Sequence, residues 1–449
     1  SQLSTILDQT NPLSEVDNLR RFTVMGSGGI SRERASFSIR DINSSQYSKI
    51  CPIRSPEGPN IGLVTYMALY SRINEFGFLE APYRKVVQQK KGRTIVTKAT
   101  NEIVYLGADD ERQHYITHTG VLEENFINLD RVPARYKGEF IETDRGNIEY
   151  IDVVPRQVVG SAASLIPFIS HDEANRALMG THMQCQAVPL IKPSSPTIGT
   201  GMESMVSEVM GRVIKAPFDG KITYADADRV IIKGLGDKEE IYNIDSFKRT
   251  SQATSYTQTT VVSSGDRVKK GDLLVDGPAS DNGELALGQN LLIAYSSFDG
   301  LGYEDAIVIS DKLVKEDILS SIHIEKYEAA VVETKLGPEE TTRDIPNVSE
   351  EDLANLDEEG IVGVGSEVSP GDIIVGKIAP KGETELTAEE RLLRAIFGEQ
   401  AREVRDTSLR MPHGEKGTII SVSTLDRKKG DELEPGTMRK IIVEVAQFR

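Results

Sequence analysis

The sequence is poor in cysteine, has no long hydrophobic run and does not begin like a leader, and each absence excludes a class of protein. Only Cys51 and Cys185 occur among the 449 residues, which excludes a disulfide scaffold and a cysteine-based zinc ribbon. No run approaches the roughly 20 apolar residues that a membrane-spanning helix needs. The first residues, SQLSTILDQT, carry neither the basic start nor the apolar core of a secretory signal. We therefore expect a cytoplasmic protein.

Basic residues are in deficit as well. The chain has 52 Lys and Arg against 69 Asp and Glu, so its formal net charge is −17. Because neutralising nucleic-acid phosphates requires surplus Lys and Arg, this balance argues against a simple basic nucleic-acid-binding domain, although it leaves room for a local basic face. The phosphate loop of nucleotide hydrolases, the zinc helix of metalloproteases and the serine elbow of esterases are missing too.

The composition and the length of the chain are those of a multidomain globular protein. Hydrophobic residues make up 38% of the chain and charged residues 27%, and the length corresponds to about three domains of ~150 residues. Residues 1–70 are dense in Gly, Pro, Arg and Ser, residues 71–155 resemble a separate small α+β module, and residues 207–310 are rich in strand patterns. We predict a multidomain, strand-rich α+β fold.

Two segments carry helix signals. Residues 160–190 read as a helix in which Ser170 and Glu173 form a capping box. Residues 387–398 are bounded by a capping threonine and a terminal glycine. The apolar face of this second helix consists of Leu392, Leu393, Ile396 and Phe397. Such a face packs into a core or, if exposed, docks a partner.

Two further patterns predict turns between strands. Asp219-Gly220 lies between two alternating runs and predicts a hairpin turn there. The segment Val268-Lys-Lys-Gly-Asp-Leu-Leu-Val275 is echoed by Val368-Ser-Pro-Gly-Asp-Ile-Ile-Val375. Both segments predict a turn followed by a strand, as in barrel and sandwich hairpins.

An arginine-rich glycine loop is the first candidate for chemistry. It is a positive stretch within an acidic chain, and its basic residues are Arg20, Arg21, Arg32, Arg34 and Arg40. Arginine suits phosphate because its planar guanidinium donates paired hydrogen bonds. The plainer alternative is a solvated loop with internal salt bridges.

Adjacent carboxylates form the second candidate. Glu304 and Asp305 precede an apolar run in GLGYEDAIVIS, and carboxylate oxygens can bind or orient a divalent cation. The alternative is an acidic pair at a strand edge, because adjacent side chains of a strand point to opposite faces.

The third candidate is the helix that carries Asn175 and Arg176. An arginine beside an asparagine on a capped helix could hold a triphosphate, and Gln184 and Gln186 could reach a nucleic-acid backbone or sugar. The alternative is the polar surface of an amphipathic helix. The histidines have no matching cluster of metal ligands, so we assign them no metal.

Several long segments together resemble the β subunit of bacterial RNA polymerase. The resemblance is colinear over essentially the whole chain. It is carried by SQLSTILDQTNPLSEVDNLRRFTVMGSGGISRERA, CPIRSPEGPNIGL, SLIPFISHDEANRALMG, GPASDNGELALGQN, YEDAIVIS, TKLGPEETTRDIPNV and LTAEERLLRAIFGE. Motifs of this length are specific, and they favour the functional reading of the candidates above.

The resemblance implies a domain plan for an internal fragment of that subunit. Its fold would be a β-barrel and sandwich-hybrid core with a protruding flap and a small external module. The parts would be the fork and rifamycin-pocket region at 1–70, the external module at 71–155, the hybrid-binding core with part of the catalytic barrel at 156–321, the flap at 322–446 with tip helix 387–398, and a return to the core at 447–449.

The resemblance also implies an active centre. Arg176 would lie at the nucleotide triphosphate with Asn175 beside it, and Gln186 would lie near the RNA. Glu304 and Asp305 would stand near the second Mg²⁺ as indirect ligands. The residues that face template DNA, nascent RNA or the incoming nucleotide would be Arg20, Arg21, Arg32 and Arg34.

Catalysis would be two-metal nucleotidyl transfer. Mg²⁺ would be held mainly by the partner β′ subunit, since no NADFDGD-like string occurs here, and no zinc is implied. We therefore expect this chain alone to be inactive. A scaffold that binds factors without catalysing is the alternative.

Further partners follow from the same family. They are the β′, α and omega subunits, sigma and elongation factors at the apolar face of helix 387–398, and nucleic acid with NTPs, at the bacterial nucleoid. The rifamycin-pocket positions would be Gln2, Leu3, Thr5, Ile6, Asp8, Asn18, Arg21, Thr23, Pro56 and Asn60. The sequence departs from the usual pattern with Thr5 for Gln, Ile6 for Phe, Asn18 for His and Thr23 for Ser, which predicts weakened rifamycin inhibition.

Overall fold

The computed structural model describes residues 4–91, 94–210, 212–234, 236, 238–380 and 404–449. The chain divides into two compact units, which are described separately. Unit one comprises Ser1–Val188, Pro193–Asn243 and Gln258–Ser296, and unit two comprises Pro189–Lys192, Ile244–Thr257 and Ser297–Arg449. Both are built mainly of strands with a few short helices. The multidomain, strand-rich α+β prediction is therefore confirmed.

The N-terminal part of unit one combines a helix with a short two-stranded sheet. Helix α1 (Pro12–Leu19) has Asn11 as its N-cap, and the Asn11 side chain accepts the Ser14 N–H at 2.9 Å. Strand β1 (Arg21–Thr23) pairs antiparallel with β2 (Val64–Tyr66). Between these strands lies the arginine-rich loop, which includes a short helix α2 at Phe37–Arg40.

A nine-stranded sheet follows. Its order is β10-β9-β6-β11-β4-β5-β8-β7, with β3 paired to β4. The bounds are β3 Arg72–Ile73, β4 Leu79–Lys91, β5 Thr94–Leu106, β6 Ile116–Thr117, β7 Leu122–Glu123, β8 Phe126–Ile127, β9 Arg131–Tyr136, β10 Glu139–Asp144 and β11 Tyr150–Asp152. A short helix α3 (Ala108–Glu111) follows β5. The sheet coincides with much of segment 71–155, whose boundaries as a domain stay a prediction.

The predicted helix over 160–190 is wrong in its extent. Only α4 (Ala174–Gln186) is an α-helix there, preceded by short turns of 3-10 helix. Phe168, directly after Pro167, adopts a left-handed φ of 54°, which an α-helix cannot accommodate. The predicted capping box is also wrong, because Glu173 itself is the N-cap of α4. A second helix, α5 (Glu203–Val209), packs against α1.

Short sheets complete unit one. Their strands are β12 Ile214–Lys215, β13 Gly220–Ala225, β14 Arg229–Gly234, β15 Glu239–Asn243, β18 Thr259–Thr260, β19 Arg267–Val268, β20 Leu273–Asp276, β21 Ser280–Asp281 and β22 Glu284–Leu285. Strands β16 (Lys248–Arg249) and β17 (Ser255–Tyr256) belong to unit two. A hairpin exists here, but Asp219-Gly220 is not its turn. β13 pairs with β14, so the turn lies at residues 226–228.

Unit two is organised around two long antiparallel strands. Strand β23 (Ile322–Thr334) pairs with β32 (Thr437–Phe448), which pairs in turn with β31 (Gly417–Asp426). A short helix α6 (Asp311–Lys315) precedes β23. The other strands are β24 Gly337–Pro338, β25 Glu340–Thr341, β26 Glu367–Val368, β27 Ile373–Val375, β28 Lys377–Pro380, β29 Val404–Asp406 and β30 Leu409–Arg410.

The predicted echo is confirmed, with one copy in each unit. Strand β19 leads through a turn to β20, and β26 leads through a turn to β27. Gly271 and Gly371 occupy the same place in the two turns, both with φ of +94°. The next residue of each turn accepts a backbone hydrogen bond through its carboxylate. These bonds run from Lys269 N–H to Asp272 Oδ2 at 2.8 Å and from Ser369 N–H to Asp372 Oδ2 at 2.7 Å.

The equivalence extends to the strand beside each turn. Gly220 of β13 lies opposite Val268, and Gly417 of β31 lies opposite Val368. A Cβ at either glycine would collide with a carbonyl oxygen of the next strand, so both positions need glycine. Each strand also shifts its register soon after this glycine. Each unit thus contains one copy of the same local β-module, formed by β13, β19 and β20 in unit one and by β31, β26 and β27 in unit two. We call this module the twin module.

Each unit has its own hydrophobic core. In unit one, α1, α4 and α5 bury a cluster that includes Leu13, Met202 and Val206, and the nine-stranded sheet buries a second cluster around Ile127 and Ile151. In unit two, the hydrophobic core is formed where the strands of the twin module, β26, β27 and β31, pack against β32. Within the described residues, no sheet path closes on itself, and no helix is long and apolar enough to cross a membrane.

Candidate functional site

The first turn of α4 presents Asn175 and Arg176 to solvent. Glu173 precedes the helix in extended conformation, with φ of −69° and ψ of 135°. One Glu173 oxygen, Oε2, accepts the backbone N–H of Arg176 at 3.0 Å, and the other, Oε1, accepts Nδ2 of Asn175 at 2.8 Å. The Arg176 guanidinium reaches only Met179 Sδ, at 3.5 Å, so no carboxylate among the described residues neutralises it.

The opposite face of α4 is anchored in the interior. Arg54 forms an ion pair with Asp17 at 2.9 Å, and its guanidinium also reaches Thr181 Oγ1 and Cys185 Sγ on α4. Ser161 donates to the other Asp17 oxygen at 3.1 Å. We call these five residues the buried cluster. It ties α4 to α1 and to the segment that follows Cys51.

Burial sets the protonation behaviour of this cluster. Loss of solvent raises the pKa of Asp17, and the adjacent Arg54 offsets only part of that rise. Burial, together with the nearby Asp17 charge, raises the pKa of the Cys185 thiol to about 12. Cys185 is therefore a neutral thiol at physiological pH and not a nucleophile.

The buried cluster was not predicted from the sequence. One signal was available, because Asp17 lies four residues after Leu13 on the apolar face of α1, where a carboxylate needs a partner. No comparable signal identifies that partner, since Arg54 lies 37 positions away.

Gln186 is exposed at the last residue of α4. It lies ten residues after Arg176, about 15 Å along the helix axis at 1.5 Å per residue. The backbone carbonyl of the neighbouring Gln184 accepts a hydrogen bond from Asn11 Nδ2 at the end of the helix. The side-chain Oε1 of Gln184 is buried without a partner among the described residues. The helix thus separates the predicted triphosphate and RNA positions by a fixed length.

The predicted arginines differ in availability. Arg20 is half-buried, and its Nη2 donates to the Ala68 and Leu69 carbonyls at 2.5 and 3.2 Å. Burial lowers the pKa of Arg20, and Asp17 partly offsets that effect. Arg21, Arg32 and Arg34 are exposed and make no ion pair within the described part of the chain. Three of the four predicted arginines therefore have no ion-pair partner among the described residues, whereas the Arg20 guanidinium is bound to backbone carbonyls.

Two of the predicted rifamycin positions, Gln2 and Leu3, lie outside the described residues, and the other eight fall in unit one. Thr5 and Ile6 are exposed, whereas Asp8, Asn18, Pro56 and Asn60 are half-buried. Asp8 Oδ1 accepts from the Thr10 hydroxyl at 3.0 Å, and Thr23 Oγ1 accepts the Met25 N–H at 3.1 Å. The Asn60 Oδ1 is buried and accepts no hydrogen bond from the described residues. The pocket itself stays a prediction.

Glu304 and Asp305 belong to unit two and are exposed. Both adopt left-handed φ values, 53° and 62°, which non-glycine residues rarely take in succession. No group of three or more potential metal ligands was found among the described residues. Mg²⁺ takes six oxygen ligands, so two exposed carboxylates fit a supporting role and not a complete site. Residues Leu392, Leu393, Ile396 and Phe397 lie outside the described residues.

Comparison with known sequences places these features in a family. The family model described as RNA polymerase Rpb2, domain 6, matches residues 215–449. The model for RNA polymerase Rpb2, domain 3, matches residues 5–73, and that for the RNA polymerase beta subunit external 1 domain matches residues 83–154. Together these three matches cover most of the chain in sequence order.

Curated relatives agree over the whole chain. The DNA-directed RNA polymerase subunit beta of Acetivibrio thermocellus is 52% identical over 451 aligned residues, which cover 100% of this chain and 36% of the relative. The subunits of the same name from Caldicellulosiruptor bescii and Syntrophomonas wolfei are 52% and 51% identical over 100% of this chain, and 36% and 40% of those relatives are covered. The chain thus spans little more than a third of their length, and it belongs to the RNA polymerase β-subunit family.

Proposed function

We propose that this chain is the part of a DNA-dependent RNA polymerase β subunit that helps to build the active centre for template-directed RNA synthesis from NTPs. The observation that carries the proposal is the first turn of α4, which holds, beside an asparagine, an exposed arginine that no carboxylate of the described residues neutralises. A guanidinium free of carboxylates is suited to a triphosphate, because it donates charge-assisted hydrogen bonds to phosphate oxygens.

In the proposed reaction, the RNA 3′-hydroxyl attacks the α-phosphate of an NTP and pyrophosphate leaves. Mg²⁺, held mainly by the partner β′ subunit, would supply charge stabilisation to the attacking and leaving oxygens. Arg176 would bind the triphosphate and offset the charge on the leaving pyrophosphate. Glu304 and Asp305 would orient water or metal from their solvent-exposed turn.

The exposed arginines of the N-terminal loop support a nucleic-acid role. Arg21, Arg32 and Arg34 would contact phosphates of the template, the RNA or the incoming nucleotide, with Arg20 holding the strand behind them. Gln186 would contact the RNA. Phosphate contacts fix position without reading sequence, which suits an enzyme that copies any template.

The finer architecture belongs to the same proposal. The twin module, present once in each unit, supports a sandwich-hybrid core. The β-barrel belongs to the same proposal and would be completed by further β-subunit segments. Unit two would carry the flap, whose predicted tip helix would bind sigma and elongation factors. The remaining partners would be β′, α and omega, at the bacterial nucleoid in the cytoplasm.

Reconstitution tests the proposal. Full-length β carrying Arg176→Ala is assembled with β′, α and omega, and primer extension is measured against NTP concentration. We expect KM for NTP to rise about tenfold to hundredfold, because a hydrogen bond to a charged group contributes about 1.5–3 kcal/mol. The matched control is Arg131→Ala, an exposed arginine of β9, which should leave KM unchanged.

Two results would reject the catalytic proposal. An assembled enzyme that shows no NTP- and Mg²⁺-dependent extension would favour the factor-binding scaffold instead. Arg176→Ala with unaltered KM would remove Arg176 from the triphosphate site.

A further inference from the structure

Glu173 lies three residues before Arg176, at the start of α4. A glutamate at this spacing can pair with the arginine side chain, and such an ion pair would compete with a triphosphate for the guanidinium. Here both Glu173 oxygens are engaged elsewhere, by the Arg176 backbone N–H and by the Asn175 amide. The carboxylate therefore stabilises the helix start without neutralising the Arg176 side chain.

The same contacts fix the orientation of Asn175. Its Nδ2 donates one hydrogen to Glu173 Oε1 at 2.8 Å, which directs the amide and leaves the acceptor Oδ1, with the second N–H, for a ligand. An acceptor next to a free guanidinium offers two complementary contacts. The guanidinium donates to phosphate oxygens, and the amide oxygen accepts from a hydroxyl such as those of a nucleotide sugar.

We propose that Glu173 is a positioning residue for the incoming nucleotide, acting through Asn175 and Arg176. This inference rests on the proposed function of Arg176. Glu173 itself touches no substrate. Its two hydrogen bonds set the backbone direction at Arg176 and the amide direction at Asn175, so that one presents a donor and the other an acceptor.

A plain N-cap would have a different signature. Removing a cap lowers the stability of a helix and need not change substrate binding. A positioning residue instead raises KM for NTP while kcat changes little, because ground-state contacts to the nucleotide are lost and the reacting atoms are untouched. Its effect also disappears when the residues through which it acts are absent.

The experiment uses assembled polymerase with full-length β. We expect Glu173→Ala to raise KM for NTP about threefold to tenfold, less than Arg176→Ala, with kcat within about twofold. Glu173→Asp, which keeps a capping carboxylate, should restore most of the affinity. In an Asn175→Ala/Arg176→Ala background, adding Glu173→Ala should have no further effect on KM.

Asp226→Ala is the matched control. Asp226 is a half-buried carboxylate of unit one that likewise accepts backbone N–H bonds, from Asp228 at 2.9 Å and Arg229 at 2.7 Å. It should leave KM unchanged. If Glu173→Ala does not assemble, Glu173→Gln is measured instead, since it keeps one acceptor oxygen and should shift KM in the same direction.

The outcomes separate the two claims. Arg176→Ala with a raised KM and Glu173→Ala with a wild-type KM would overturn the positioning role alone. A Glu173→Ala effect that persists in full in the double-variant background would also overturn it. Arg176→Ala with a wild-type KM would instead reject the proposed function on which the inference rests.

Discussion

Asp17 and Arg54 carry opposite charges in the interior of unit one, where each depends on the other. The Arg54 side chain is 8% exposed and the Asp17 side chain 3%. Two buried charges that are well paired add little net stability, whereas one left alone is very unfavourable. The pair therefore matters for which arrangement of α1 and α4 is adopted more than for total stability.

Removing one partner should expose this asymmetry. We expect Asp17→Ala to lower the free energy of unfolding by about 3–5 kcal/mol, because Arg54 keeps its buried charge. The double variant Asp17→Leu/Arg54→Met should recover most of that loss. Urea unfolding of the 449-residue chain measures both. A single variant within about 1 kcal/mol of wild type would contradict this account.

Rifamycin sensitivity is a second residue-scale prediction. Thr5 and Asn18 are smaller than the usual Gln and His, so polar contacts of the usual reach would be lost in the predicted pocket. We expect polymerase with this β subunit to require about fivefold to thirtyfold more rifamycin for half-inhibition than its Thr5→Gln/Asn18→His variant, because one or two lost hydrogen bonds would each remove about 1 kcal/mol. Equal inhibition curves for the two enzymes would refute the assignment.

At this scale, local motifs single out exposed residues such as Arg176 and Asn175, because their neighbours in sequence are also their neighbours in space, and their roles stay predictions. The partner of Asp17 could not be predicted, since contact between distant segments depends on packing that no local pattern encodes. Glu173 was predicted as part of a capping box with Ser170. Its position as the N-cap of α4 and its bond to Asn175 depend on where the helix begins and on side-chain geometry.

At the scale of elements, glycines explain both a success and an error. The Gly-Asp echo predicted its two turns because Gly271 and Gly371 need positive φ, a local requirement. Asp219-Gly220 misled because Gly220 serves close strand approach instead of a turn. The real turn is made by Asp226, whose side chain accepts backbone N–H groups in the manner of an Asx turn.

The twin turns should respond alike to substitution. Open space surrounds a Cβ at Gly271 and Gly371, so alanine meets only the cost of positive φ. We expect Gly271→Ala and Gly371→Ala each to destabilise the unit that contains it by about 1–3 kcal/mol. Gly288→Ala is the control, since it has the same open space without positive φ. Thermal unfolding monitored by hydrogen exchange resolves the two units. Unequal losses, or a loss at Gly288, would contradict the prediction.

His323 of strand β23 should make the stability of unit two depend on pH. Burial lowers the pKa of His323, and the Arg449 charge lowers it further. The folded state therefore favours neutral His323, and stability falls as pH drops below the ordinary histidine pKa of about 6.5. His323→Gln should reduce the loss between about pH 7.5 and 5.5 in denaturant unfolding. An identical loss in both proteins would show that His323 does not contribute.

For the whole molecule, the net charge of −17 is a poor guide to the site. The exposed arginines that make no ion pair with the described residues occupy one loop and one helix start of unit one, so the positive charges relevant to the site are local and do not appear in the net charge. The family could be predicted from sequence because its motifs are long. The division into two units could not, since unit one takes up three separate stretches of chain.

Catalysis should require the complete assembly. We expect the 449-residue chain alone to show no primer extension with NTPs and Mg²⁺, because its described residues hold no group of three potential metal ligands and its two exposed carboxylates cannot fix a catalytic ion. Full-length β in the assembled enzyme is the positive control. Extension by the isolated chain above a no-protein blank would refute this expectation.

The twin module also provides a comparison within a single chain. Its two copies are 100 positions apart, from Val268 to Val368, and share hydrogen bonds as well as residues. Lys269-Lys270 in one copy and Ser369-Pro370 in the other differ, while the Gly-Asp pair that shapes the turn is the same in both. The two copies thus separate the residues that the turn requires from those that it leaves open to substitution.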